Sequence, residues 1–170
     1  MKLPEETKPA KTRRGFIRSV AGAALGLVLG RTPSPAMARH RRPRRCQRIV
    51  PAAKLHGCDL MGVNLVRAQL DGANLNRTNL TGANMRYVQA PGIYVVEGVM
   101  RGANLGFADL AGAEMSRVDL TRADISHADL SGANLSHANL TESRISHSNL
   151  TRAILTSANL AHAYLTRSDF

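Results

Sequence analysis

"SHADLSGANLSHANLTESRISHSNL" runs from Ser126 to Leu150. Leucine or isoleucine falls at every fifth position, with alanine or serine two places before each. The register continues without a slip from Leu55 to Phe170, twenty-four positions in all. Most are leucine; the rest are Met85, Ala90, Val95, Met100, Met115, Ile125, Ile145 and Phe170. One place before each, asparagine or aspartate predominates.

Neither regular element accommodates this period. On an α-helix a five-residue step rotates about 140° net, so the leucines would wind around the whole surface. On a straight strand an odd step sends successive leucines to opposite faces. The chain must therefore turn once per repeat. Residues two apart on a short strand share a face, so each leucine and the small residue before it point inward. The Asn or Asp and the next two residues point outward. Right-angle corners close after four repeats, giving a square coil whose next turn stacks about 4.8 Å above it. Twenty-four repeats make about six coils, about 29 Å long at that rise. Each inward leucine contributes roughly 1.5–3 kcal/mol of burial.

"ADLSG", "ANLSH", "ANLTE", "ANLNR" and "ANLTG" fit the pattern A-(D/N)-L-x-x. On these motifs residues 53–170 resemble the pentapeptide repeat family. The resemblance implies an all-β fold, a right-handed quadrilateral β-helix. Its handedness comes from the resemblance and not from the spacing. "RYVQAPGIYVVEGVM" (Arg86–Met100) is degenerate but keeps phase, with Pro91-Gly92 at a corner. It reads as one atypical, bulged coil that leaves Tyr94, Val96 and Val99 exposed.

The net charge of +11 is unevenly placed. Leu55–Phe170 holds nine Arg, no Lys and ten Asp or Glu, so the repeat body is nearly neutral. The positive excess lies in residues 1–54. Aromatics are 4% of the chain and tryptophan is absent, which suits a repeat array better than a conventional core.

Residues 1–38 read as a signal peptide. A charged stretch precedes the apolar run Val20–Gly30, and a small-x-small cleavage site follows at Ala36-Met37-Ala38. The apolar run is too short to span a bilayer, which needs about 20 residues. "TRRGFIR" resembles a twin-arginine signal, with Arg13 and Arg14 as the pair and Phe16 two places on. The resemblance implies a bacterial source and export in the folded state. The mature chain would begin near Arg39 in the periplasm or outside the cell, with no membrane span. Residues 39–52 form an Arg-rich arm and cap. "RHRRPRRCQR" carries six arginines, either as a solvated leader or as an arm for acidic partners. Cys58 occupies a small inward position and Cys46 lies in the cap. The two are a candidate disulfide; a buried free Cys58 is the alternative. At the other end, either Phe170 plugs the last coil or two protomers meet end to end.

Chemistry is sparse. His127, His137 and His147 recur every ten residues, which puts His127 and His147 on one side and His137 opposite. Two imidazoles without a third ligand do not make a metal site. Ser, His and Asp recur as outward repeat positions rather than as one set beside a pocket, so no catalytic group and no cofactor are expected. The second residue after each leucine gives a sharper pattern. Two opposite sides carry mainly glycine, while a third reads Arg67, Tyr87, Phe107, His127, His147, Arg167. This column of rings and cations is a candidate surface for a protein, a glycan or an acidic polymer.

The expectation is an exported, non-enzymatic scaffold. One alternative is a DNA mimic acting on gyrase, as some family members do. The near-neutral body and the export signal disfavour it, and nucleic acid is disfavoured as a partner. Another alternative binds cell-envelope polymer.

Overall fold

A computed structural model describes Cys46 and residues 49–170 of the chain. The twin-arginine segment and its cleavage site lie outside these residues, as does the arm apart from Cys46 and residues 49–52. The described part is a four-sided β-helix. Parallel bridges join each outward Asn or Asp position to the one 20 residues later, from Lys54–Asn74 to Asn149–Asp169.

Every backbone N–H of a repeat has its own destination, and Asn104–Ala108 shows the pattern. Asn104 donates to the Ala83 carbonyl of the preceding coil, 2.9 Å away. Leu105 and Phe107 donate to Asp124 and Ser126 of the following coil, at 2.6 and 3.0 Å. Ala108 donates across the corner to the Leu105 carbonyl at 3.0 Å. The fifth donor, Gly106, points outward at the corner and finds the Asn104 side-chain Oδ1 at 3.1 Å. Such Asx contacts give the motif's Asn/Asp a role at the turn, since the side-chain oxygen accepts from the outward N–H two residues on. Where the motif departs, the donor is handled differently. Gln89 needs no such contact, since Pro91 two places on has no N–H. After Tyr94, the Val96 N–H donates instead to Asn76 Oδ1 of the preceding coil, at 2.8 Å.

The corners are tight turns. Every fifth residue from Ala52 to Arg167 has φ between 53° and 66°, and the residue before it does not. One left-handed residue at the second central position is the signature of a type II turn. Glycine fills that position at eight corners and another residue at sixteen. A single non-glycine residue there costs about 1–2 kcal/mol.

The core is the inward leucine column with its small partners. Leu105, Leu130, Leu135 and Leu140 are fully buried, as are Ala133 and Ala138. Two inward hydroxyls bond core-facing carbonyls, Thr78 Oγ1 donating to Leu55 at 3.0 Å and Ser148 Oγ to Ile125 at 2.8 Å, whereas the buried Ser143 Oγ has no partner among the described residues.

The atypical stretch differs from expectation. Its bridges stay in register and no bulge forms. Tyr94 is exposed, but Val96 and Val99 are half-buried. Gly98 takes the small inward position there rather than a corner. A Cβ on it would stand 2.6 Å from Val95 Cγ1, so in this rotamer Val95 takes up the space that a small side chain fills elsewhere.

The two ends are unlike. At the start Cys46 and Cys58 form a disulfide with Cα atoms 5.8 Å apart, both buried, and Ile49 packs on the core. In the last coil Leu155, Leu160 and Leu165 are only partly buried. Phe170 is 63% exposed, so it does not plug the coil.

Candidate functional site: a ring and guanidinium edge

The corner after the Leu65 side gathers the column named from the sequence. Tyr87, Phe107, His127 and His147 stack face to face up the axis. Ring centroids are 5.0, 4.7 and 4.8 Å apart, with interplanar angles of 17°, 3° and 12°. The cause is the fold. Positions 20 residues apart lie one coil rise apart, and one φ value (57° to 61°) aims all four side chains alike. Each aromatic contact is worth about 0.5–1.5 kcal/mol, which offsets the strain of a ring in the left-handed region.

Guanidiniums extend the stack. Arg67 lies over the Tyr87 ring, 5.6 Å from its centroid. Arg167 occupies the same corner position beyond His147, with φ 58°. Arg86 is a member that the five-residue reading missed, because it sits one place off the column. Its guanidinium stands 5.2 Å from the Tyr87 centroid and 5.4 Å from that of Phe107. It also donates to the Tyr87 hydroxyl at 3.4 Å. Gly106, one coil on, lies beside it: a Cβ there would meet Arg86 Nε at 3.7 Å, an ordinary contact distance. The available signal was an arginine next to a tyrosine of the column.

Two other corners pair most of their charges. After the Leu55 side, Glu97 accepts from Arg77 at 2.8 Å and from Arg117 at 3.5 Å. After the Leu60 side, Glu142 accepts from Arg122 at 2.7 Å. Arg101 and Arg144 pair with Asp119 and Asp124. Arg77 beside Glu97, and Arg122 beside Glu142, hold these carboxyls below the usual glutamate range. At Asp119 burial pushes upward, but hydrogen bonds from Thr121 and Arg101 outweigh it. At Glu114 burial likewise pushes upward and is outweighed by hydrogen bonds from Ser116 and Asn134. Among the arginines of the described residues, Arg67, Arg86, Arg152 and Arg167 lack a carboxylate within 4.0 Å. Three of these four belong to the ring edge.

His127 and His147 stack on that edge, and His137 lies on the opposite corner. Among the described residues no cluster of three or more His, Cys, Asp or Glu could hold a metal ion. A shallow open groove on the Leu55 side is lined by His56, Asn74, Asn76, Arg77 and Glu97, where the charges already pair.

A profile of the pentapeptide repeats family matches residues 52–89, 100–136 and 133–170, with 8 copies of the repeat. This chain belongs to the pentapeptide repeat family. Membership gives the β-helix its right-handed sense. The unmatched interval falls inside the degenerate stretch. The chain is similar to the solved structure of a pentapeptide repeat protein, Rfr23, from the cyanobacterium Cyanothece 51142. Identity is 25%, over 66% of this chain and 84% of that one, with a TM-score of 0.41. A second similar structure is a pentapeptide repeat protein from the Arabidopsis thaliana thylakoid lumen, with 28% identity, coverage of 68% and 67%, and a TM-score of 0.43. A third is HetL from Nostoc sp. strain PCC 7120, described as involved in heterocyst differentiation regulation. It has 27% identity, coverage of 69% and 62%, and a TM-score of 0.38. No curated protein sequence matches the chain.

Proposed function

We propose that this pentapeptide repeat protein is an exported, non-enzymatic scaffold of about six coils that binds a partner along its ring edge. One observation carries the reading. Five of the nine solenoid arginines pair with carboxylates, and three of the four that do not, Arg67, Arg86 and Arg167, stand along the column of four stacked rings. A packed column of Leu and Ala offers no enclosed place for chemistry, which supports a binding role rather than catalysis. Export rests on the sequence of residues 1–38 and places the protein in the periplasm or outside the cell. The partly exposed leucines of the last coil, with Phe170, support end-to-end pairing of two protomers. Sedimentation tests that pairing, with a dimer expected and a monomer at micromolar concentration opposing it.

Fractionation tests the localisation. The wild type is expected in the exported fraction and the Arg13→Lys, Arg14→Lys variant in the cytosol; retention of both in the cytosol ends the export reading. Site-directed crosslinking from Tyr87, Phe107 and Glu97 in exported protein tests the edge. Adducts are expected at the first two positions and not at Glu97, which stands on the opposite corner. DNA mimicry toward gyrase would need an acidic face, and the candidate edge has the opposite sign. A supercoiling assay is expected to show no inhibition.

A further inference from the structure

The ring edge has a geometry that selects among acidic partners. Its rings lie 4.7–5.0 Å apart with small interplanar angles, so each inner face is covered by the next ring. The outer face of Tyr87 is covered by Arg67, and Arg86 lies over Tyr87 and Phe107. Bases of single-stranded nucleic acid bind by stacking on open aromatic faces. The inner faces are closed to a base, and the far face of His147, at the end of the stack, lacks a ring beyond it. Ring edges are what reach solvent: Tyr87 is 38% and Phe107 41% exposed, and both histidines are exposed. An aromatic edge carries the positive side of the ring quadrupole. Around it stand hydrogen-bonding groups, the Tyr87 hydroxyl and the imidazole nitrogens, together with guanidiniums whose planar fork matches carboxylates.

The column is also long and straight. Arg67 to Arg167 spans five coil steps, about 24 Å at the stacking rise. An extended peptide repeats its same-side residues about every 6.6 Å, out of step with rungs 4.7–5.0 Å apart. A chain that carries hydroxyls between its anionic groups can use hydrogen-bonding rungs and cationic rungs alike.

We infer that the edge holds a linear acidic polysaccharide, a carboxylate-bearing glycan lying parallel to the coil axis. Arg67, Arg86 and Arg167 pair with its carboxylates, and Tyr87, His127 and His147 bond its hydroxyls. This rests on the ring edge being the contact surface, as proposed above.

The test is titration calorimetry of the full chain with polygalacturonate at low and high salt. Neutral dextran, polyphosphate and an oligothymidylate serve as parallel probes. Two variants separate the edge from the Arg-rich arm. One is Arg67→Gln, Arg86→Gln, Arg167→Gln; the other is Arg41→Gln, Arg42→Gln, Arg44→Gln, Arg45→Gln. The inference expects polygalacturonate to bind at least ten-fold tighter than dextran or oligothymidylate. It expects the edge variant to lose ten-fold or more at an unchanged melting temperature, and the arm variant less than three-fold. Binding lost with the arm and kept by the edge variant overturns it, as does equal or tighter binding of polyphosphate or oligothymidylate, or no binding at all. If the polymer fails while crosslinking from Tyr87 and Phe107 still traps a protein, the polysaccharide assignment falls and the contact surface stands.

Discussion

Two corners of one coil, ten residues apart in sequence, use the same backbone for different purposes. Glu97 has φ 56° and Phe107 has φ 61°, and both are the second central residue of the same turn. At Glu97 the column reads Arg77, Glu97, Arg117, and its charges satisfy one another between coils. At Phe107 it reads Tyr87, Phe107, His127, flanked by arginines that no carboxylate meets among the described residues. The fold requires only a tolerable left-handed residue at either place. Identity at the corners is therefore free to serve other ends. Identity in the inward column is not, because each side chain there fills a fixed volume.

The largest effects should come from beneath the corners and be the same under both. Leu105→Ala, on the ring side, and Met115→Ala, on the charge side, should each lose about 2–5 kcal/mol in denaturant unfolding. A large disparity between them would mean that the corner columns bear on the core. Next comes closure of the first coil. Cys46→Ser removes a disulfide spanning 12 residues, and its loss should cost about 2–4 kcal/mol in the oxidised protein. Ala133→Leu pushes bulk into a fully buried small position and should cost about 1–3 kcal/mol by the same measurement.

Corner substitutions should matter less. Phe107→Gly loses ring contacts but releases left-handed strain, so its stability should stay within about 1 kcal/mol of wild type. Phe107→Val loses the contacts and keeps a β-branched residue at positive φ, so it should be less stable than Phe107→Gly. The reverse order in thermal melts would show that left-handed strain does not govern this corner. The smallest effect separates the two corners by pH. Glu97 and Glu142 have lowered values, so their contribution is full above the ordinary 4.5 and fades as pH falls below it. Glu97→Gln should flatten part of the acid-side fall in melting temperature, while Phe107→Gly should leave that slope unchanged.

Much of this was legible in the sequence because the period is strict. An apolar residue at every fifth place, with a small one two places earlier, leaves only a chain that bends each quintet. The ring column followed from counting by twenty. The Asn/Asp preference was visible and placed outward, though not the N–H it serves. Three features escaped. Arg86 lies off the column, so column counting passed over it. The half-burial of Val96 and Val99 depends on neighbours one coil away. Gly98 sits against the Val95 side chain three residues before, a local contact that a periodic reading smooths over. The cap bond joined the inward Cys58 to Cys46, a pairing that the sequence left open beside a free thiol.

The register of stacked corners is what every other statement needs, and paired cysteines test it directly. Equivalent corner positions one coil apart stand about 4.8 Å from each other, within the Cα range of a disulfide. Phe107→Cys with His127→Cys should therefore crosslink within one chain on mild oxidation, read by peptide mass mapping. Phe107→Cys with Arg117→Cys, on opposite corners, should stay reduced. Ready bridging of the second pair, or failure of the first in folded protein, would contradict the twenty-residue coil and the edge built upon it.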